Sequence, residues 1–177
     1  MKNKEVLSLL LRYSFSILAA LGNLYLFYLI LTPLTVYSVF FISKLFSNSI
    51  LVSKDLIFIN ETGFKIINAC VAGSAYYLLL VLNLSTPKIP IKTRIKAILF
   101  SFITFFIINI IRILFLILIF PIPELFILTH KIFWYALSTI FVVLIWIAEI
   151  RIFKIKAIPF YSDIISLKKD SFLRKKN

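Results

Sequence analysis

The chain has one cysteine, Cys70, one histidine, His130, and only three glycines in 177 residues. A single cysteine excludes an internal disulfide. One cysteine and one histidine do not furnish a protein-only metal site, and no cofactor motif is present, so neither metal nor cofactor is expected. Acidic residues are scarce as well: Glu5, Asp55, Glu61, Glu124, Glu149, Asp163 and Asp170 stand singly, with no pair placed for acid–base work. What is abundant is apolar side chain. Hydrophobic residues make up 62% of the chain and the mean hydropathy is +1.04. A soluble domain of this size cannot bury that much apolar surface, so the composition is that of an integral membrane protein. The net charge of +13 lies between the apolar runs and in the C-terminal tail, where anionic lipid is the expected partner. No folded basic module is present, so no nucleic-acid partner is expected.

Residues 1–150 read as one polytopic membrane domain and 151–177 as a basic cytoplasmic tail. Residues 13–31 carry no charge and are long enough to cross about 30 Å of hydrocarbon, with Pro33 breaking the helix. This run is too long for a signal-peptide core and reads as a retained helix. Residues 34–46 are apolar but short and contain Lys44, as an interfacial helix would be. Residues 50–68 change character: β-branched and aromatic segments flank the turn signal Asn60-Glu-Thr-Gly63, which predicts a β-hairpin outside the lipid. Further spans follow at 70–84, 95–120 and 131–150, with Pro121-Ile-Pro123 ending the long one and Thr129 capping the last. The expected fold class is therefore an all-α integral membrane protein: about four transmembrane helices, an interfacial helix and a short extracytoplasmic β-hairpin.

Charge orients it. With residues 34–46 on the outer surface, fifteen Lys and Arg fall inside, including eight in the tail, against Lys44, Lys54, Lys65 and Lys131 outside. If residues 34–46 span instead, the N-terminus moves outside and the bias shrinks to twelve against seven. The first arrangement is favoured and puts both termini in the cytoplasm. In both, the hairpin, Cys70 and His130 face out. Asn60-Glu-Thr62 is a glycosylation sequon on the same side.

Four features converge at that outer face. Asn68 is a good helix N-cap, which puts Cys70 in a first turn whose free N–H groups favour a nucleophilic thiolate. Ala69, Ala72, Gly73, Ser74 and Ala75 keep its surroundings small, so another chain can approach closely. Arg112 lies inside a span, roughly 12 Å below its outer end, and a buried guanidinium costs at least about 2.5–3.5 kcal/mol, so it marks a functional position by default. Asn109, one turn away, is placed to orient it. His130 heads the next span. A lone cysteine is by default a small apolar residue, a single intramembrane Arg an anchor, and a single Asn interhelical glue. Their convergence from three helices is more specific than any member. A thiolate can attack a carbonyl to form a thioester, His can move the proton, and Arg can hold the oxyanion.

The order Cys70-Val-Ala-Gly73, Asn109-Ile-Ile-Arg112 and His130, each near the outer end of successive spans after a β-rich segment, resembles the exosortase/archaeosortase family over about residues 34–150. The resemblance implies a membrane cysteine transpeptidase. Such an enzyme cleaves C-terminal sorting signals (short motif, transmembrane helix, basic cluster) from membrane-anchored surface proteins. It passes the acyl group to an acceptor, a lipid among the candidates. Cys70 is then nucleophile, Arg112 stabiliser and His130 acid/base. The chain departs from the family in carrying Val71-Ala72 where Ser is commoner before the Gly, and in lacking the extra N-terminal spans of larger members. Its short length and Ile-, Lys- and Phe-rich composition lean toward the pacearchaeosortase branch. Two other classes share the features: a membrane protease that only hydrolyses, and a non-enzymatic subunit of a transporter or assembly complex.

Overall fold

The computed structural model describes residues 3–21, 24–87, 89–133, 138–155 and 159. The elements run α1 (Asn3–Ala20), α2 (Tyr25–Lys44), β1 (Ser49–Leu51), β2 (Leu56–Ile59), β3 (Thr62–Lys65), α3 (Asn68–Val71), α4 (Gly73–Ser85), α5 (Ile91–Ile119), α6 (Pro123–Ile132) and α7 (Ser138–Ile152). The basic tail expected over 151–177 lies outside the described residues beyond position 155, apart from Pro159. Among the described residues, three helical stretches are long and apolar enough to cross a membrane: Tyr25–Lys44, Asn68–Ser85 and Ile91–Ile119.

α5 carries the pattern that a lipid solvent demands. Ile95, Leu99, Ile103, Ile107, Ile111 and Phe115 recur one turn apart and are exposed. The opposite stripe is buried and contains Arg94, Ser101 and Asn109. The helix thus turns its apolar face outward and its polar residues into the bundle, because a polar group facing hydrocarbon has no partner. Those polar residues then satisfy groups on their neighbours. Arg94 donates to the carbonyl oxygens of Asn83, Leu84 (3.2 Å) and Thr86 (2.8 Å), the unpaired C-terminal carbonyls of α4. Ser101 and Asn83 both donate to Glu149 of α7, whose side chain is fully buried. α4 and α5 are therefore antiparallel, as are α5 and α7. Tyr76, Leu79, Phe105 and Val142 fill the core between them.

The N-terminal third corrects the sequence reading. The expected span over 13–31 is divided: α1 ends at Ala20, and Leu24 takes a left-handed backbone with φ 61° before α2 begins. In the sequence, Gly22-Asn23 is a helix-stop signal stronger than the proline downstream. Pro33 lies inside α2 and does not end it, so residues 34–46 are the second half of α2 and no separate interfacial helix exists there. Pro33 is exposed, and its missing N–H costs the helix one backbone bond. Contacts fix the path. Arg12 donates to the Leu84 carbonyl at 3.4 Å, Tyr77 donates to the Ser16 carbonyl at 3.2 Å, and Phe27 packs edge-on against Tyr77 at 6.4 Å. Tyr28 then lies against Gly73. As the residue number climbs from 12 to 28, the α4 partner falls from 84 to 73. α1 and α2 hence run in the same direction, both antiparallel to α4.

A three-stranded antiparallel sheet of order β1-β2-β3 stands where two strands were expected. β2 pairs β3 in the register Ile57↔Phe64, and β1 adds on the other side with Ile50↔Phe58. Ile57 and Ile59 of the sheet are buried, as is Ile66 just after it, where the chain leads into α3.

Candidate active site

Cys70 does not sit at the head of a long helix. Ile67, in extended conformation, precedes α3, and its carbonyl accepts the N–H of Cys70 (2.8 Å) and of Val71 (3.3 Å). Asn68 is the first residue of α3, with no capping bond from its side chain, so the predicted N-cap role is replaced by this backbone turn. α3 closes after one turn because Ala72 adopts φ 57°, ψ 43°. A non-glycine residue in that conformation costs about 1–2 kcal/mol, and only a small side chain keeps it low. α4 starts afresh at Gly73.

The break leaves the carbonyls of α3 without helical partners, and α5 supplies them. Asn109 Nδ2 donates to the Cys70 carbonyl at 2.9 Å and to that of Val71 at 3.4 Å. Arg112 Nη2 donates to the carbonyls of Ala69 (3.2 Å) and Cys70 (3.1 Å), while Nη1 donates to Ser138 Oγ at 3.1 Å. Asn109 was expected to orient Arg112 through a direct bond. Instead both residues grip the same peptide, which fixes the cysteine backbone against α5. Arg112 Nε and Asn109 Oδ1 are buried without a hydrogen-bond partner.

Gly73 is a packing requirement. A Cβ there would meet the outer edge of the Tyr28 ring at 2.8 Å, so the ring of α2 packs on the bare backbone of α4 and would have to shift to admit a side chain.

His130 lies in the last turn of α6, not at the head of the final helix, and Thr129 is likewise inside α6 and caps nothing. The helix starts seven residues earlier because Pro123 is well placed at its first position and Glu124 complements its N-terminus. An aromatic ladder holds the imidazole. Phe64 of β3 meets Phe120 edge-on at 5.1 Å, Phe120 meets Phe126 at 5.4 Å, and Phe126 stacks on His130 at 5.8 Å with the rings 14° apart. The signal for this was in the sequence: Phe126 and His130 are four apart, on one helical face.

Cys70, Arg112 and His130 line one cavity of about 230 Å³. Phe64, Ile67 and Phe126 form much of its apolar wall, and Lys65 lies at its margin. Lys65 pairs with Asp55 at 3.4 Å. The Ser53 hydroxyl, donating to Asp55 at 2.9 Å, and the nearby ammonium hold that carboxyl below its ordinary range. Among the described residues no cluster of His, Cys, Asp and Glu is arranged to hold a metal ion. Ser138 and the aromatic ladder are the contributors that sequence reasoning missed.

The fold and cavity together define a mostly helical chain with, among the described residues, three helical stretches of membrane-crossing length and a cavity that contains Cys70. No family model, curated protein or solved structure matches it.

Proposed function

We propose that the chain is a multi-pass membrane cysteine transpeptidase, similar to the exosortase/archaeosortase family, with its active site on the outer face. The observation that carries this is the meeting of Cys70, Arg112 and His130, from three distant segments, in one apolar cavity. The first of four passes is the apolar stretch over residues 13–31, where α1 runs on into α2, followed by α4, α5 and α7. Both termini lie in the cytoplasm, and Arg12 and Arg94 mark the inner end of the bundle.

The chemistry needs only these groups. The Cys70 thiolate attacks a peptide carbonyl, and the C–O π electrons move to an oxyanion that faces Arg112. The C–N bond then breaks as His130 gives a proton to the leaving amine. A thioester to the N-terminal part of the substrate remains. An acceptor nucleophile attacks it, gives its proton to His130 and restores the thiolate. The substrates are membrane-anchored proteins ending in a short motif, an apolar helix and a basic cluster, and an anionic lipid surface holds the basic tail.

Co-expression with a secreted protein of that architecture tests the reading. Wild type removes the C-terminal segment and Cys70→Ala leaves it attached. A new amide or ester at the product's C-terminus marks transfer, and a free carboxylate marks hydrolysis alone. Cleavage by Cys70→Ala would overturn the proposal.

A further inference from the structure

Arg112 is held on two sides. Nη2 is tied to the α3 carbonyls, and Nη1 donates to Ser138 Oγ at 3.1 Å. Ser138 in turn donates its hydroxyl proton to the Phe133 carbonyl at 2.9 Å. Phe133 closes α6: its N–H bonds the carbonyls of His130 and Thr129. One hydroxyl therefore joins the guanidinium on α5 to the helix end that carries His130. A serine hydroxyl has one donor and two acceptor sites, and here it uses one of each. The three bonds fix the plane of the guanidinium and leave the second N–H of Nη1 unspent, on a residue that lines the Cys70 cavity, whereas Nε is buried away from it.

We propose that Ser138 is a positioning residue for Arg112. It sets the guanidinium orientation in which a free N–H faces the developing oxyanion, and it couples that orientation to the end of α6. Without the hydroxyl, Arg112 is held only through Nη2, about which the rest of the fork can swing. An oxyanion donor displaced by a fraction of an ångström loses much of its effect, because the interaction exists only in the aligned geometry. The inference rests on the cysteine-nucleophile reading above.

The test uses two reagents for Cys70 in the full-length protein in detergent. The aldehyde N-acetyl-leucyl-leucinal adds the thiol across its carbonyl: a C–S bond forms, and the thiol proton ends on the former carbonyl oxygen, which occupies the oxyanion position. Iodoacetamide alkylates the same sulfur by displacing iodide and needs no oxyanion donor. The readout is the aldehyde concentration that half-protects Cys70 from iodoacetamide. In Ser138→Ala this concentration rises about tenfold, equivalent to about 1.4 kcal/mol. The iodoacetamide rate alone stays at the wild-type value. Ser138→Thr, which keeps a hydroxyl, restores protection to within about twofold. In an Arg112→Lys background, Ser138→Ala adds nothing further, because the residue acts through Arg112. Unchanged protection in Ser138→Ala, or a parallel change in iodoacetamide rate, would overturn the positioning role. Absence of aldehyde protection in wild type would instead overturn the nucleophile reading beneath it, so the two failures are distinguishable.

Discussion

Arg112 Nη2 donates to the carbonyl oxygen of Cys70 at 3.1 Å, joining the C-terminal part of α5 to the only cysteine of the chain. Asn109, one turn earlier, donates to the same oxygen. The peptide of Cys70 is therefore clamped by two side chains of one helix, and that clamp substitutes for the helical bonds lost at Ala72.

The clamp makes a specific demand on residue 112. Arg presents a planar fork that reaches two carbonyls, Ser138 and one further acceptor at once, whereas Lys presents a compact ammonium that loses its charge readily when buried. Arg112→Lys is expected to insert in the membrane and accumulate normally but to reduce substrate processing on the order of 100-fold, the usual loss for one oxyanion donor. Processing is read by the ratio of cleaved to intact substrate. Near-normal processing would assign Arg112 to anchoring the Cys70 loop and nothing more.

Gly73 is expected to be intolerant of even one methyl group. The 2.8 Å approach to Tyr28 means that Gly73→Ala must push a ring or a helix aside. Overpacking of this kind costs about 1–3 kcal/mol. The variant should melt several degrees lower in detergent, and Tyr28→Leu in the same chain should recover most of the loss, a non-additive pair. Equal, additive losses would contradict the contact.

How much of this was legible in the sequence depends on the range of the interaction that decides each feature. α5 was, because an apolar run ended by Pro121 and Pro123 specifies itself locally. The gathering of Cys70, Arg112 and His130 at one end was also legible, since the order of spans fixes which ends meet. The division between α1 and α2 was not. Pro33 looks like the stronger breaker, but it lies inside α2, which continues past it to Lys44. Asn68 suits a cap by residue type, yet it lies inside α3, and the Ile67 carbonyl accepts the N–H groups of Cys70 and Val71. Glu149 looked solitary in sequence. Its partners Asn83 and Ser101 lie 66 and 48 residues away, and only the antiparallel packing of α4, α5 and α7 brings them to it.

The proposed orientation of the bundle rests on the excess of Lys and Arg in the segments assigned to the inner side. Single cysteines at positions 60 and 128, introduced in a Cys70→Ser background, are expected to react with a membrane-impermeant maleimide in intact cells, and cysteines at 90 and 165 only after lysis. Labelling at 90 from outside would invert the topology and move the Cys70 cavity to the cytoplasm.

The most direct measurement is the capture of the acyl intermediate. Attack of Cys70 on a substrate carbonyl must pass through a thioester linking this protein to the N-terminal part of its substrate. When the protein is co-expressed with a sorting-signal substrate and rapidly denatured in acid, a covalent adduct of the two is expected on gels, released by neutral hydroxylamine and absent from Cys70→Ala. His130→Ala should change how fast the adduct forms or resolves while leaving substrate docking intact. Cleavage that proceeds with no hydroxylamine-labile adduct, and continues in Cys70→Ala, would contradict a cysteine nucleophile in this cavity.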